Sequence, residues 1–399
     1  MSKALKRALT GVALSGVLVF LAFAAAGCGG GGGGGSSAED ISGLGSSVDD
    51  IESKARDEGQ VNLVIWSGYA DPAWAKPFTQ QTGCKVNTKD GASSDDMIDL
   101  LSSGQYDGVS ASGNASVRLM ARGDVAPINT DYIPNFADVQ EGIKNQSYNS
   151  LDGKPYGVPH GRGPNLLMFR TDSVPENTDS WSVIWDKSGP YNGKLSIYDD
   201  SIFIADAAVY LKATQPDLKI DDPYELDDKQ FSAAVDLLKK QAPQVSDYWP
   251  GDVAKQVQAF TNKDAVVGTT WPYQVNLLDA AKVPVKAVKP KEGTTGWSDT
   301  WMIYSKAQHP NCMYLWMNYI ISPEAQAKVA ESFGEAPVNP KACALTTDKQ
   351  FCTKYHAEDE SWWQDVYYWT TPTADCGDDR GEVCKTQEDW KAAWTEIRG

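Results

Sequence analysis

Histidine is nearly absent from this chain of 399 residues, which has only three: His160, His309 and His356. None stands in an H-E-x-x-H pattern, and the seven cysteines form no C-x-x-C pair, so no zinc motif of either kind is present. There is no G-x-x-x-x-G-K-[ST] phosphate loop and no G-x-S-x-G nucleophile turn. Positive charge is also short, with 36 Lys and Arg against 53 Asp and Glu and a formal net charge of −17. Such a surface repels phosphate backbones and anionic headgroups, which argues against nucleic acid as a partner and favours cationic guests. No metal and no cofactor is expected.

What is present begins with Lys3, Lys6 and Arg7, followed by an uncharged stretch that ends in Ala25-Ala26-Gly27-Cys28. A basic start, an apolar middle and a small-residue end read as a signal peptide over 1–27, and the following Cys resembles a bacterial lipobox. On that reading Cys28 is the lipidated first residue of the mature chain. The alternative is an uncleaved single-span anchor. Gly29 to Gly35 is an unbroken glycine run, and we expect 28–58 to be a flexible tether. Losing the three basic residues with the signal takes the net charge to −20 over 372 residues. At roughly 150 residues per domain, that length predicts about two domains.

Six cysteines remain, and the fifteen pairings they allow are not separated by sequence alone. For an exported chain we expect bridges, with Cys343 to Cys352, Cys376 to Cys384 and Cys84 to Cys312 as the chosen set. Val61 to Trp66 reads as a buried strand, 72–82 as a helix stopped by Gly83, 84–88 as a strand and 94–101 as a helix. This β-α-β-α order implies mostly parallel sheets covered by helices, with ligands beyond the carboxyl ends of the strands. The alternation returns with helices over 229–241 and 253–261, a strand over 265–270, and helices over 312–321 and 323–333. Trp390 and Trp394, four apart, mark a final helix in an aromatic tail that packs onto a lobe.

Tryptophans fall at strand ends beside turn-forming or acidic residues in Trp66-Ser67-Gly68-Tyr69, in Trp271-Pro272-Tyr273 and in Trp297-Ser298-Asp299, and Tyr198-Asp199-Asp200 adds a carboxylate pair. Indole faces attract ammonium by ~0.5–2 kcal/mol, and carboxylates give the attraction direction. Together with Gln105-Tyr106-Asp107, Gly157-Val158-Pro159, Tyr191 to Leu195, Lys289 to Gly293 and Ser322 to Gln326, these segments resemble the bacterial spermidine/putrescine-binding proteins, receptors of polyamine ABC importers. The resemblance runs from about Val61 to Pro340.

It implies a two-lobed α/β receptor of the type II periplasmic-binding-protein fold, each lobe a mainly parallel sheet covered by helices, joined by hinge crossovers. Lobe 1 would hold 59–162 and 298–342, lobe 2 would hold 163–297 and 343–399, and Cys84 and Cys312 would meet in lobe 1. The expected function is capture of a small cationic amine for an ABC permease and its ATPase. The protein would be an extracytoplasmic, lipid-anchored monomer and not an enzyme. Trp66, Ser67, Tyr69, Trp271, Trp297, Asp299 and Asp200 match family ligand contacts. Phe203, Gln274, Glu335 and Asn114 stand where the family has other contact residues, which puts the second ammonium anchor in question. Arg162 could grip a carboxylate and make the ligand zwitterionic. Two rivals remain: a sugar receptor of the same fold, and a secreted glycosidase using Asp200 and Asp299.

Overall fold

The computed structural model describes residues 41–250 and 253–399, so the signal, Cys28 and the glycine run lie outside the described residues. From the amino end the elements are α1 (Val48–Glu58), β1 (Gln60–Ile65), α2 (Pro72–Thr82), β2 (Lys85–Asp90), α3 (Ser94–Ser102), β3 (Gly108–Ala111) and α4 (Gly113–Arg122). A small hairpin, β4 (Ser150–Leu151) with β5 (Lys154–Pro155), precedes β6 (Gly157–Pro159), β7 (Gly163–Pro164) and β8 (Leu166–Arg170). Next come β9 (Leu195–Tyr198), α5 (Ile204–Thr214), α6 (Asp228–Gln241), β10 (Val245–Trp249), α7 (Ala254–Asn262), β11 (Val267–Thr270), α8 (Pro272–Ala280), β12 (Val285–Val288) and β13 (Thr294–Trp297). The chain closes with β14 (Thr300–Ile303), α9 (Pro310–Ile320), α10 (Pro323–Phe333), α11 (Phe351–Lys354), α12 (Glu360–Trp363), β15 (Val366–Tyr368) and α13 (Gln387–Arg398).

Two five-stranded sheets organise the molecule, in the orders β2-β1-β3-β14-β6 and β10-β9-β11-β8-β12. Each is mixed rather than mainly parallel. β1 runs parallel to β2 and β3, but β14 is antiparallel to β3 and β6; β9 runs parallel to β10 and β11, but β8 is antiparallel to β11 and β12. The reason is the crossing: β14 and β8 each enter from the other sheet's side, so they run against the strands that lead out. The carboxyl ends of β1, β2 and β3 therefore face those of β9, β10 and β11, which is where open α/β sheets hold ligands. A short ribbon, β15-β13-β7, lies at the crossing.

Residues 48–58 correct the expected tether. Ser47 caps α1 by accepting from the Asp50 N–H, and Gly59 ends it with φ 66°. Ile51 and Ala55 are buried on the first sheet's core. Glu58 accepts from the backbone N–H groups of Asn311 and Cys312, and so caps α9. The glycine run ahead of this helix hid its amphipathic face from a compositional reading.

The tail divides its packing. Between α10 and α12, Glu331 accepts from the Thr347 N–H (2.6 Å), and Tyr355 donates to Asn276 of α8 (3.1 Å). β15 then joins β13, and Trp390 and Trp394 of α13 enter the second sheet's core. The three disulfides pair as expected: Cys84 with Cys312, Cys343 with Cys352, Cys376 with Cys384.

Candidate functional site

Between the facing strand ends lies a cavity of about 510 Å³. β1 ends in a turn in which the Tyr69 N–H donates to the Trp66 carbonyl, with Gly68 at φ 88°. A side chain at Gly68 would be strained there and would press on the Phe333 ring. The turn aims Trp66 and Tyr69 into the cavity from one side, while Trp271 (after β11), Trp297 (end of β13) and Trp369 (after β15) come from the other. Trp66 is oriented by its Nε1 donating to Ser112 (3.0 Å), and Trp271 by its Nε1 donating to Asn165 (2.9 Å). Trp369 stacks on Tyr198 at 5.8 Å and 6°. Gly163 gives the Trp297 indole its space, since a Cβ there would stand 2.3 Å from the ring. Tyr273 and Phe333 pack nearby with their rings tilted by 50°, 5.2 Å between ring centres.

Asp299 supplies the charge. Its carboxylate is 3% exposed, Oδ2 accepts from the Tyr69 hydroxyl at 2.6 Å, and Oδ1 has no partner within the protein. Burial pushes its pKa up to about 6, opposed by the hydrogen bond from Tyr69 and by the nearby Ser112 hydroxyl. Tyr69 is held from behind by stacking on His160 at 3.9 Å. The only other carboxylate among the described lining residues is Asp90, exposed at the end of β2, and no Lys, Arg or His is among them.

Of the expected site residues, Trp66, Ser67, Tyr69, Trp271, Trp297 and Asp299 meet at this cavity. The others do not line it. Asp200 caps the turn at 201–203 by accepting from the Ile202 N–H, and with Asn114 it borders a separate recess of about 310 Å³. Phe203 lies in the second core, stacked on Trp185 at 5.7 Å. Gln274 is fully buried in the first turn of α8. Glu335 lies behind the cavity, beside His160. Arg162 turns away: its guanidinium donates to Glu360 (2.6 Å), Gln140 and the Ala357 carbonyl, and sits 4.4 Å from the Trp363 ring centre. A carboxylate from the tail pairs with it, so it offers no anion anchor to the cavity. Sequence reasoning missed Trp369, Tyr273, Phe333, Ser112 and Asp90. The Tyr367-Tyr368-Trp369 tract was a signal for Trp369, but no spacing rule brings position 369 to position 66.

Among the described residues, three buried carboxyls and the half-buried Asp200 have pKa values raised by desolvation first: Asp200 and Asp299 up to about 6, Asp206 up to about 7, and Glu335 well above its usual value. Unfolded, such groups lose their protons near about pH 4. Between there and neutrality the native state holds more protons, so their stabilising contribution is complete at low pH and lost as pH rises through the folded values. His160, lowered to about 3 by burial, opposes this below about pH 6.5 but is a single group. The ligand-free protein is expected to melt higher at about pH 5.5 than at about pH 8. Calorimetric scans that show the reverse order would contradict these protonation states.

Comparison with known proteins agrees with this architecture. The spermidine/putrescine-binding periplasmic protein of Escherichia coli (strain K12) is 25% identical over 295 residues, covering 73% of this chain and 81% of the relative. The crystal structure of the Tp0655 (TpPotD) lipoprotein of Treponema pallidum aligns with a TM-score of 0.67 at 20% identity, over 85% of this chain and 99% of that one. MotA from Agrobacterium tumefaciens B6, in complex with glucopine, aligns with a TM-score of 0.66 at 17% identity, over 85% and 100%. These structures share the two-lobed periplasmic-binding-protein fold. With the family pattern for bacterial extracellular solute-binding proteins matching residues 73–359, this chain belongs to that family of extracytoplasmic, non-enzymatic receptors of ABC transport.

Proposed function

We propose that the solute is a small organic cation of the polyamine class, held between the lobes with its alkyl part against tryptophan faces and an ammonium on Asp299. The observation that carries this reading is the buried Asp299 carboxylate, whose Oδ1 is unpartnered in a cavity whose described lining has no positive group. An ammonium is the complement of that arrangement, since a buried carboxylate left without a partner is costly. The relatives named for polyamines support the same reading. A zwitterionic guest finds no anion anchor now that Arg162 is paired with Glu360. Asp200 is not in this cavity, so the pair a glycosidase would need is not assembled around it.

The lobes close by hinge motion about the β6–β7, β13–β14 and α10–α11 crossings, and the closed form is presented to a permease energised by an ATPase. A lipid on Cys28 holds the receptor at the membrane. The ligand test is a thermal-shift screen of putrescine, spermidine, agmatine, betaine and glucose, since a ligand that binds only the native state raises its melting point. Asp299→Asn should weaken binding of the best amine at least tenfold, about 1.4 kcal/mol by calorimetry. Unchanged affinity, or a shift with glucose alone, would refute the assignment.

A further inference from the structure

Four consecutive residues of the first crossing, His160-Gly161-Arg162-Gly163, support the cavity from both of its sides without lining it. The His160 ring lies against Tyr69 at 3.9 Å, and the His160 N–H donates to the Asp299 carbonyl at 2.7 Å. That ring is steadied in turn by the Trp301 indole, which donates to Nδ1 (2.9 Å), and the His160 carbonyl accepts from Gln326 (2.7 Å). Gly163 pairs with Trp297 between β7 and β13 and leaves the room that the Trp297 indole fills. Tyr69, Asp299 and Trp297 are thus all referred to one short segment.

Arg162 fixes that segment to the rest of the crossing and to the tail. Its N–H donates to the Ala336 carbonyl (3.2 Å) and its carbonyl accepts from the Ala336 N–H (3.0 Å), which draws in the chain leaving α10. Its side chain is 1% exposed and reaches Glu360 of α12, whose own side chain is 59% exposed. The pairing is two-pronged, Nη2 to Oε1 at 2.6 Å and Nη1 to Oε2 at 3.2 Å, which fixes the plane of the guanidinium. Nη2 also donates to Gln140 Oε1 (3.0 Å) and to the Ala357 carbonyl (3.1 Å), while Nε has no partner. Glu360 is the one carboxylate among these contacts, so its loss would leave a buried cation without a counter-ion. It stands one position past residue 359, where the family match ends.

We propose that Glu360 is a positioning residue for solute binding: through Arg162 it holds the first crossing in the register that sets Tyr69 against Asp299 and seats Trp297 in the cavity wall. Glu360 is not among the lining residues and touches no guest. The inference goes beyond the amine reading, because it concerns the shape of the cavity and not the charge of what enters. Without the pair, the crossing takes up positions in which the two walls do not meet the guest together. Apparent affinity then falls with the fraction of molecules in the competent geometry.

The test follows Trp297 itself. The full chain is labelled with 5-fluorotryptophan, and the fluorine resonances of Trp297 and of Trp390, in α13, are assigned with Trp297→Phe and Trp390→Phe. In Glu360→Gln the Trp297 resonance should shift or broaden while that of Trp390 stays in place. The putrescine Kd, measured well below the melting temperature, should rise at least ~10-fold. The double variant Cys376→Ala with Cys384→Ala controls for lost stability, since Cys384 bridges to Asp227 at the start of α6 and not to the crossing. It should melt lower than wild type yet keep the wild-type Trp297 resonance and putrescine Kd. If Glu360→Gln does not fold, Glu360→Asp, one methylene shorter, is read in the same way. An unmoved Trp297 resonance, a moved one without loss of affinity, or an equal change in the cysteine variant overturns the proposal. A wild type that does not bind putrescine overturns the amine reading, and the Trp297 resonance alone then decides this one.

Discussion

Gly113→Val is expected to abolish ligand capture while leaving the empty protein folded. Gly113 is the first residue of α4, on the first sheet's side, and its ideal Cβ would stand 1.7 Å from the Trp369 carbonyl oxygen and 2.7 Å from the carbonyl carbon. Those are backbone atoms, so no rotamer relieves the clash. The 368–371 segment is fixed to the opposite lobe, with the Trp369 N–H donating to Gly296 and its ring stacked on Tyr198. Around the contact, Thr371 donates to the Asn114 carbonyl (2.9 Å), and Lys391 of α13 reaches Asp95 of α3 (2.7 Å). A valine would hold these surfaces apart and keep Trp369 from completing the cavity. Apparent affinity scales with the fraction of molecules able to close, so a loss of at least ~100-fold is expected. Calorimetry with the best ligand reads the loss, and scanning of the empty variant should show a melting temperature near wild type. Near-native affinity would mean that closure does not need this contact.

The second large effect concerns stability. Cys84, just before β2, is joined to Cys312 in α9 across 228 residues of sequence. On the loop-entropy account, closing so long a loop stabilises by ~5 kcal/mol, against ~2.5 kcal/mol for the eight-residue separation of Cys376 and Cys384. Cys84→Ala with Cys312→Ala should therefore lower the melting temperature by roughly 6 °C. The Cys376 and Cys384 double variant should lose clearly less. Equal losses would show that local packing, not loop length, sets the contribution of these bridges.

The fold was legible wherever local chemistry decides. α2 and α10 have Pro at the start and a left-handed Gly at the end, and both helices have the bounds those signals indicate. Strand direction was not legible. Whether β14 runs with or against β3 depends on which lobe the chain arrives from, and hydrophobic runs do not encode that. In the site, the turn after β1 and the Trp297–Asp299 step were readable because aromatic, turn-forming and acidic residues coincide over a few positions. Asp200 misled for the same local reason. A carboxylate after a strand can serve a ligand or cap the next turn, and here Asp200 accepts from the Ile202 N–H. Arg162 was settled by Glu360, 198 positions away.

One wall of the chamber comes from outside the recognised pattern. The family match ends at residue 359, and Trp369 lies ten positions further along, carried by a ribbon that also docks on α4. Its indole is a neighbour of Trp271, 6.3 Å between ring centres. A preference carried over to this chain from the matched region alone would therefore leave out one of the indoles that line the cavity.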